Sequence, residues 1–264
     1  MSGHMSNYHT IMVTTRNRVA TITLNAPKTL NALTQAMRLE LMNAITTVEN
    51  DDGVRVIILT GSGRGFCAGA DLTEGTLEHP SFVEQCAAEY EPWLMAIHNS
   101  KKLYLAAVNG VAAGIGAAIV MNCDLVVMSD DAYLYQAFSA IGLMPDGGAN
   151  WLLLQKLGYQ RALDLAVNAG RLSAQECFDL GLVNRVVSGE SMLENAQAWA
   201  EKMASGAPLA QAAIKTLMRK ALSMSYSEVI NEEARVQSKL INSEDSKGAV
   251  AAFFAKQAPV FNGK

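Results

Sequence analysis

Residues 103–128 read LYLAAVNGVAAGIGAAIVMNCDLVVM, and the way this stretch folds decides the class of the chain. LYLAAV (103–108) is a short apolar run that suits a strand buried on both faces. A helix of small residues is expected from about residue 113, and DLVVM (124–128) returns as a second strand. A strand, a helix and a strand in sequence imply a crossover and parallel pairing. The expected class is α/β.

The pattern repeats on either side. VRVIILT (54–60) is another buried strand, ending at the glycine-rich GSGRGFCAGADL, and AYLYQ (132–136) is a further one. TIMVTT (10–15) and RVATITL (18–24) read as a hairpin. Thr34 caps a helix running to about Asn50, on which Leu39, Met42, Ile45 and Val48 recur at helical spacing. A polar loop covers Thr73–Pro80, and a helix follows near 81–99 in which Pro92 should cause a kink. From Asn150 the pattern is almost all helical, interrupted by VNRVV (183–187), with three longer helices between about 190 and 256. The expected organisation is an α/β core over 5–204 and a helical region over 205–264.

The 264 residues are 50% hydrophobic and 17% charged, as in a globular protein with a large core. A net charge of −4 and a pI near 5.6 argue against a nucleic-acid partner. No membrane span is expected, because the longest apolar run, VAAGIGAAIVM (111–121), is about half of the roughly 20 residues required. The start lacks the regions of a signal peptide, and Met1–His4 reads as a cloning remnant before a natural Met5. Cys67, Cys86, Cys123 and Cys177 have no paired spacing, so reduced and mostly buried thiols in a cytoplasmic protein are expected. His4, His9, His79 and His98 form no ligand motif, and no metal site is expected.

Two loops stand out. FCAGADL and NGVAAGIGAA each place very small residues after a strand. Small residues let a ligand touch backbone, and a following helix aims free N–H groups at negative charge. Amides from two such loops can hold one oxygen, but the same glycines also permit close packing of helix on strand. Composition leaves both readings open. Gly114-Ile115-Gly116 with Asp130 is most of a dinucleotide-binding unit, yet Ile119 stands where the third glycine belongs. Cys67 has no evident histidine partner and reads as a packing residue.

RGFCAGADL (64–72), NGVAAGIGA (109–117), PKTLNAL (27–33) and FFAKQAPVF (253–261), in that order, resemble the crotonase (enoyl-CoA hydratase/isomerase) family over about residues 8–262. The resemblance implies a fold of repeated ββα turns with a C-terminal helical trimerisation region, in a homotrimer or a dimer of trimers. It implies a bent acyl-CoA site in which the Ala68 and Ile115 amides hold the thioester oxygen. Ala68, Gly69, Ala70, Asp71 and Leu72 would line the CoA pocket, with Gly114 and Phe138 also meeting substrate. Lys28 and Leu30 would lie near the adenine and pantetheine. Lys256 is a candidate for the CoA phosphate, of its own or a neighbouring subunit. No cofactor is implied beyond the coenzyme A of the substrate.

Hydration in this family uses two glutamates around one water, and the matching positions here are Ala118 and Phe138. Neither takes a proton. The remaining carboxylate is Asp146 in GLMPDGGAN (142–150). NGVAAGIGA, AFSAIGLMPD and WLL (151–153) resemble the epoxyphenylacetyl-CoA isomerase branch, which has an aspartate after this proline. A dehalogenase branch uses an aspartate of this loop as a nucleophile. Taken alone, an aspartate before Gly-Gly-Ala-Asn-Trp reads as a helix N-cap; the family context makes it the base. The expected activity moves a double bond, 3-enoyl-CoA to 2-enoyl-CoA or in a ring-derived acyl-CoA. Burial beside Phe138, Met144 and Trp151 should raise the Asp146 pKa. A hydratase and a non-catalytic CoA-thioester binder are the alternatives. Asp71 is expected to make a structural hydrogen bond, and Glu74, Glu78 and His79 to be solvated.

Overall fold

A computed structural model describes residues 8–74 and 79–264, which leaves Met1–His4, Met5 and Glu78 outside the described residues. Ile11–Arg16 (β1) and Val19–Leu24 (β2) pair antiparallel across Asn17 and Arg18, both with positive φ as a two-residue hairpin turn requires. Thr34 caps Gln35–Glu49 (α1) by accepting the Met37 amide. The buried stripe of α1 is Met37, Leu41, Ala44, Ile45 and Val48, and Leu39 turns to solvent. Val56–Gly61 (β3) then lies parallel to β2 and is buried throughout.

Gly65–Cys67 (β4) follows, then Phe82–Gln85 (α2), a π-helical turn over Cys86–Tyr90, and Glu91–Asn99 (α3). Leu103–Val108 (β5), Val111–Ala113 (β6) and Ile115–Asn122 (α4) come next, followed by Leu125–Ser129 (β7) and Tyr133–Tyr135 (β8). Ala149–Leu157 (α5), Tyr159–Val167 (α6), Arg171–Ser173 (β9), Ala174–Asp179 (α7) and Arg185–Val187 (β10) lead into the last helices. These are Met192–Ala204 (α8), Pro208–Ala221 (α9), Tyr226–Ile241 (α10) and Glu244–Phe254 (α11), four where the sequence suggests three.

The strands form two sheets, ordered β1-β2-β3-β5-β7-β10 and β4-β6-β8-β9. Each long strand of the middle series hands on to a three-residue strand in the second sheet, and helices return the chain. That is the repeated ββα turn. Of the second sheet the sequence points to β8, within AYLYQ; β4, β6 and β9 were not expected, because three-residue strands are too short to show a period. One face of the large sheet carries Ile22, Ile57, Leu59 and Ala106 against Met37, Trp93 and Ile97. The other face, through Val19, Val56, Ile58, Leu105 and Val127, is covered by Met192, Ala196, Ala200 and Ala204 of α8. Cys67, Cys123 and Cys177 are buried free thiols, each pushed up to about 12 by burial, and Cys86 is a half-buried free thiol. No helix among the described residues is long and apolar enough to cross a membrane.

The α9 helix is tied to this core by charge. Lys215 and Arg219 reach Asp124 at 2.7 and 2.8 Å, and Lys215 also donates to the Lys102 carbonyl at 2.8 Å. Helix α10 buries no residue, and Ile214, Met218, Phe253 and Phe254 of α9 and α11 stand exposed.

Pro92 acts differently from a simple kink. It has no N–H to give the helix, and just ahead of it the turn widens so that the Glu91 amide bonds Cys86 five residues back. The wide turn carries Glu89 inward to Arg38, a pair 2.7 Å apart with both side chains buried. Arg38 also donates to the Leu33 carbonyl at 2.7 Å and to Glu74 at 3.0 Å. Gln35 and His79 meet the other Glu89 oxygen at 2.7 and 2.8 Å. Burial opposes the charge on Glu89, but the hydrogen bonds from Gln35, His79 and Arg38 outweigh it and hold this carboxyl down at about 2. His79 is thus an anchor and not a solvated residue, while Glu74 is exposed as expected yet also tied to Arg38 and to the Gln35 amide. Arg38→Met strands Glu89 without its cation, and a loss of about 3 kcal/mol in urea unfolding is expected; a change under about 1 kcal/mol would show that the pair does not hold the fold.

Candidate active site

The strands β4 and β6 pair in parallel, Gly65 with Val111 and Cys67 with Ala112, so the loops leaving them run side by side. A Cβ on Gly69 (φ 107°) would lie 3.2 Å from the Ala113 oxygen, and one on Gly114 (φ 54°) 3.9 Å from Gly69 Cα. A side chain on Gly69 would crowd the other loop, whereas Gly114 has room for one and is favoured by its positive φ. A Cβ on Gly116 would sit 2.3 Å from the Cys67 oxygen, so this glycine serves packing. Both readings of the small residues hold, at different positions.

The amides divide into used and free. Ala68 donates to the Leu30 carbonyl at 2.9 Å, which corrects the expectation that its N–H is available to a substrate. Leu33 donates to the Gly69 oxygen at 2.8 Å and its own carbonyl takes the Asp71 amide at 3.2 Å. Between these two bonds the exposed Ala70 amide makes no hydrogen bond among the described residues. Across the gap, the Gly114 amide is taken by Tyr135 at 3.0 Å, while the Ile115 amide opens α4 without an acceptor. Ala70 and Ile115 directly follow Gly69 and Gly114, the two residues in contact. The free donors are therefore neighbours.

The segment 27–33 forms a strap under this loop. Asn31, fully buried with φ 59°, accepts the Ala26 amide at 2.8 Å and donates to the Ser62 and Gly65 carbonyls at 3.0 and 2.8 Å. Sequence reading missed it; an asparagine amid apolar residues beside a tight turn was the available signal. Lys28 is exposed on a 3₁₀ turn, Leu30 is half-buried with φ 52°, and Leu72 is exposed. Asp71 accepts the amide and hydroxyl of Thr73 at 2.9 and 2.7 Å, bonds that hold its carboxyl below the usual range, so its role is structural. Lys256 is exposed at the end of α11 and has no side-chain partner among the described residues.

Asp146 does not cap the helix that follows it. The N-cap of α5 is Gly148 (φ 81°), with no side-chain bond. The Asp146 main-chain carbonyl takes the Ala149 amide at 3.0 Å, and Asn150 closes the loop onto the Pro145 carbonyl at 2.6 Å. The carboxylate is left over. Its Oδ1 is buried with no hydrogen-bond partner among the described residues, and burial raises its pKa above the usual aspartate range, against partial opposition from its own amide. Gly147 (φ 60°) presses on α4: a Cβ there would fall 2.0 Å from Ile115 Cδ1 and 3.4 Å from the Ala118 methyl. On the other side, burial pushes Tyr90 and Cys86 up, Arg38 partly opposes this at Tyr90, and the Asp146 charge adds to it at both. Met144 and Trp151, expected to cover the carboxylate, are 74% and 44% exposed; the buried Phe138 packs on Gly114 instead. Arg38 and Glu89, also missed, carried a readable sign: a charged residue on the apolar stripe of α1 needs a buried partner.

The chain matches the family model for enoyl-CoA hydratase/isomerase over residues 14–264. It is 39% identical over 258 residues to a probable enoyl-CoA hydratase of Rhodobacter capsulatus, covering 98% of this chain and all of the relative. It is 35% identical over 250 residues to the 1,2-epoxyphenylacetyl-CoA isomerase of Escherichia coli, covering 93% and 95%. The crystal structure of enoyl-CoA hydratase from Bacillus anthracis superposes with a TM-score of 0.91 at 30% identity, over 97% of this chain and all of the other. Paired loops with free amides, a ββα framework and end-to-end similarity agree: the chain is an enzyme of the crotonase, or enoyl-CoA hydratase/isomerase, family.

Proposed function

We propose that the protein isomerises acyl-CoA thioesters, moving a double bond from the 3- to the 2-position, with Asp146 as the single base. One observation carries this reading. A carboxylate with a buried, unpaired oxygen flanks the oxyanion helix, while Ala118 and Phe138 fill the two positions where the family places glutamates.

Protons beside a thioester carbonyl are weakly acidic, and removing one puts charge on the carbonyl oxygen. The Ala70 and Ile115 amides hold that oxygen, each worth about 3 kcal/mol of transition-state stabilisation. Asp146 takes the proton and returns it to the far carbon of the allylic system. One proton moves and no electron does, so neither metal nor redox cofactor is required. Lys28, Leu30 and the stretch from Ala68 to Leu72 line the CoA, and Lys256 meets the CoA phosphate across a subunit boundary. Residues 205–264 assemble a cytoplasmic homotrimer through the exposed apolar side chains of α9 and α11, which sedimentation would report as three times the chain mass.

A second reading, water addition to a 2-enoyl-CoA, is favoured by relatives named hydratases. The two separate when purified protein is given 3-enoyl-CoA and 2-enoyl-CoA in turn and the conjugated thioester is followed by absorbance. Conjugation should appear with the first and persist with the second. Asp146→Asn should slow isomerisation at least ~100-fold with CoA-thioester binding retained; undiminished turnover would remove Asp146 from the mechanism.

The base works ionised, so activity should fall as pH drops through the raised Asp146 pKa, placing the acid limb above the usual aspartate range. Stability runs the other way. A carboxyl with a folded pKa above its unfolded one favours the fold when protonated, and this contribution fades as pH rises through that window. Asp146→Asn should therefore melt no lower than the parent at pH 7.

A further inference from the structure

Beside Asp146, between the π-helical turn with α3 and the start of α5, lies a cavity of about 390 Å³. Tyr90, Leu94 and Met95 form one wall, Trp151 faces them, and His98 stands at the base, edge-on to Trp151 with ring centres 5.8 Å apart. Gly147, the residue after Asp146, lines it too, and the Asp146 charge acts on two further lining residues, Cys86 and Tyr90, so the cavity adjoins that carboxylate.

Its chemistry is one-sided. The walls are apolar and aromatic, and no lysine or arginine is among the lining residues. The acid at its edge is Glu91, and Asp146 adds a second negative charge nearby. His98 does not offset them: burial and the adjacent Arg219 push its pKa down, and Arg219, which bonds the His98 ring from outside the cavity, is itself paired with Asp124 at 2.8 Å. A group entering here leaves water for apolar surface under a negative rim, which favours neutral groups and penalises a carboxylate. The volume falls within the range of pockets that enclose a whole small ligand, so a two- or four-carbon acyl group would leave most of it unfilled.

We infer that this cavity seats the acyl group beyond the reacting carbons and selects bulky neutral acyl groups, ring-bearing or of medium chain length, over short ones and over chains ending in a carboxylate. The inference rests on the function proposed above only for where the thioester lies.

The test is calorimetric binding of saturated thioesters, which have no double bond to move, to the full chain. Phenylacetyl-CoA or octanoyl-CoA should bind at least ~10-fold tighter than acetyl-CoA, with adipyl-CoA no tighter than acetyl-CoA. The larger gain of the first two shows whether a ring or a chain fits better. Met95→Trp, on a half-exposed wall, should cancel the advantage and leave acetyl-CoA binding unchanged. Glu91→Lys, at an exposed position, should tighten adipyl-CoA about tenfold. Equal affinities for all four thioesters, or ratios unmoved in both variants, overturn the inference. A bulky preference in a protein without isomerase activity leaves the cavity assigned and removes the proposed reaction; isomerase activity with no such preference does the reverse.

Discussion

Two stretches of backbone approach one another at Gly69 and Gly114, where a Cβ on Gly69 would lie 3.2 Å from the Ala113 oxygen, and the rest of the site is arranged around that contact. The approach is enforced from both sides. The parallel pairing of β4 with β6 brings the loops together, and the strap through Leu33 takes both the Gly69 carbonyl and the Asp71 amide. Of the amides of Ala68, Ala70, Asp71, Gly114 and Ile115, those of Ala68, Asp71 and Gly114 are taken by Leu30, Leu33 and Tyr135, and those of Ala70 and Ile115 have no acceptor among the described residues. Selection of the donors is thus a matter of elimination by hydrogen bonding: Ala68 lies in the same loop and is disqualified by Leu30. A free amide exposed to solvent costs little, as at Ala70, whereas Ile115 is a buried residue, where an unpaired donor is more costly.

The position of Asp146 follows from the same economy of space. Two consecutive glycines with positive φ turn the chain sharply after it, and Gly147 fits against Ile115 only because it has no side chain. The loop is closed by main-chain and Asn150 bonds that do not involve the carboxylate. A carboxylate with an oxygen buried and unpaired is a local destabilisation that packing alone would not retain. The cost is consistent with a group whose use is to accept a proton.

The class, the parallel core and the glycine-rich loops were legible because long strands and Gly-rich turns leave strong local patterns. Thr34 as a cap, Asp71 as a turn former and Cys67 as a packing residue were also readable, each from chemistry within a few positions. The failures share a cause. Whether the Ala68 amide is free depends on Leu30, and whether Asp146 is covered by Trp151 or Tyr90 depends on how α5 meets the π-helical turn. The short strands β4, β6 and β9 exist only through pairing within the sheet that β8 completes. Leu39 was placed on the wrong side of α1 because apolar spacing does not reveal that the stripe also accommodates Arg38.

Arg38 connects these points physically. One nitrogen of its guanidinium bonds the Leu33 carbonyl, the same oxygen that holds the Asp71 amide beside Ala70. The others grip Glu89, whose neighbour Tyr90 forms a wall of the acyl cavity and lies under the guanidinium at 5.1 Å. A buried ion pair is a poor source of net stability, since desolvation of two charges offsets their attraction. Apolar replacements of similar volume would pack as well, but they would leave Leu33 with one donor in place of two and the π-helical turn without an anchor. A planar, five-donor group is suited to bonding a carbonyl and a carboxylate at once. The pair therefore fixes relative position: the strap that shapes the oxyanion loop and the turn that faces Asp146 are held to one rigid charge.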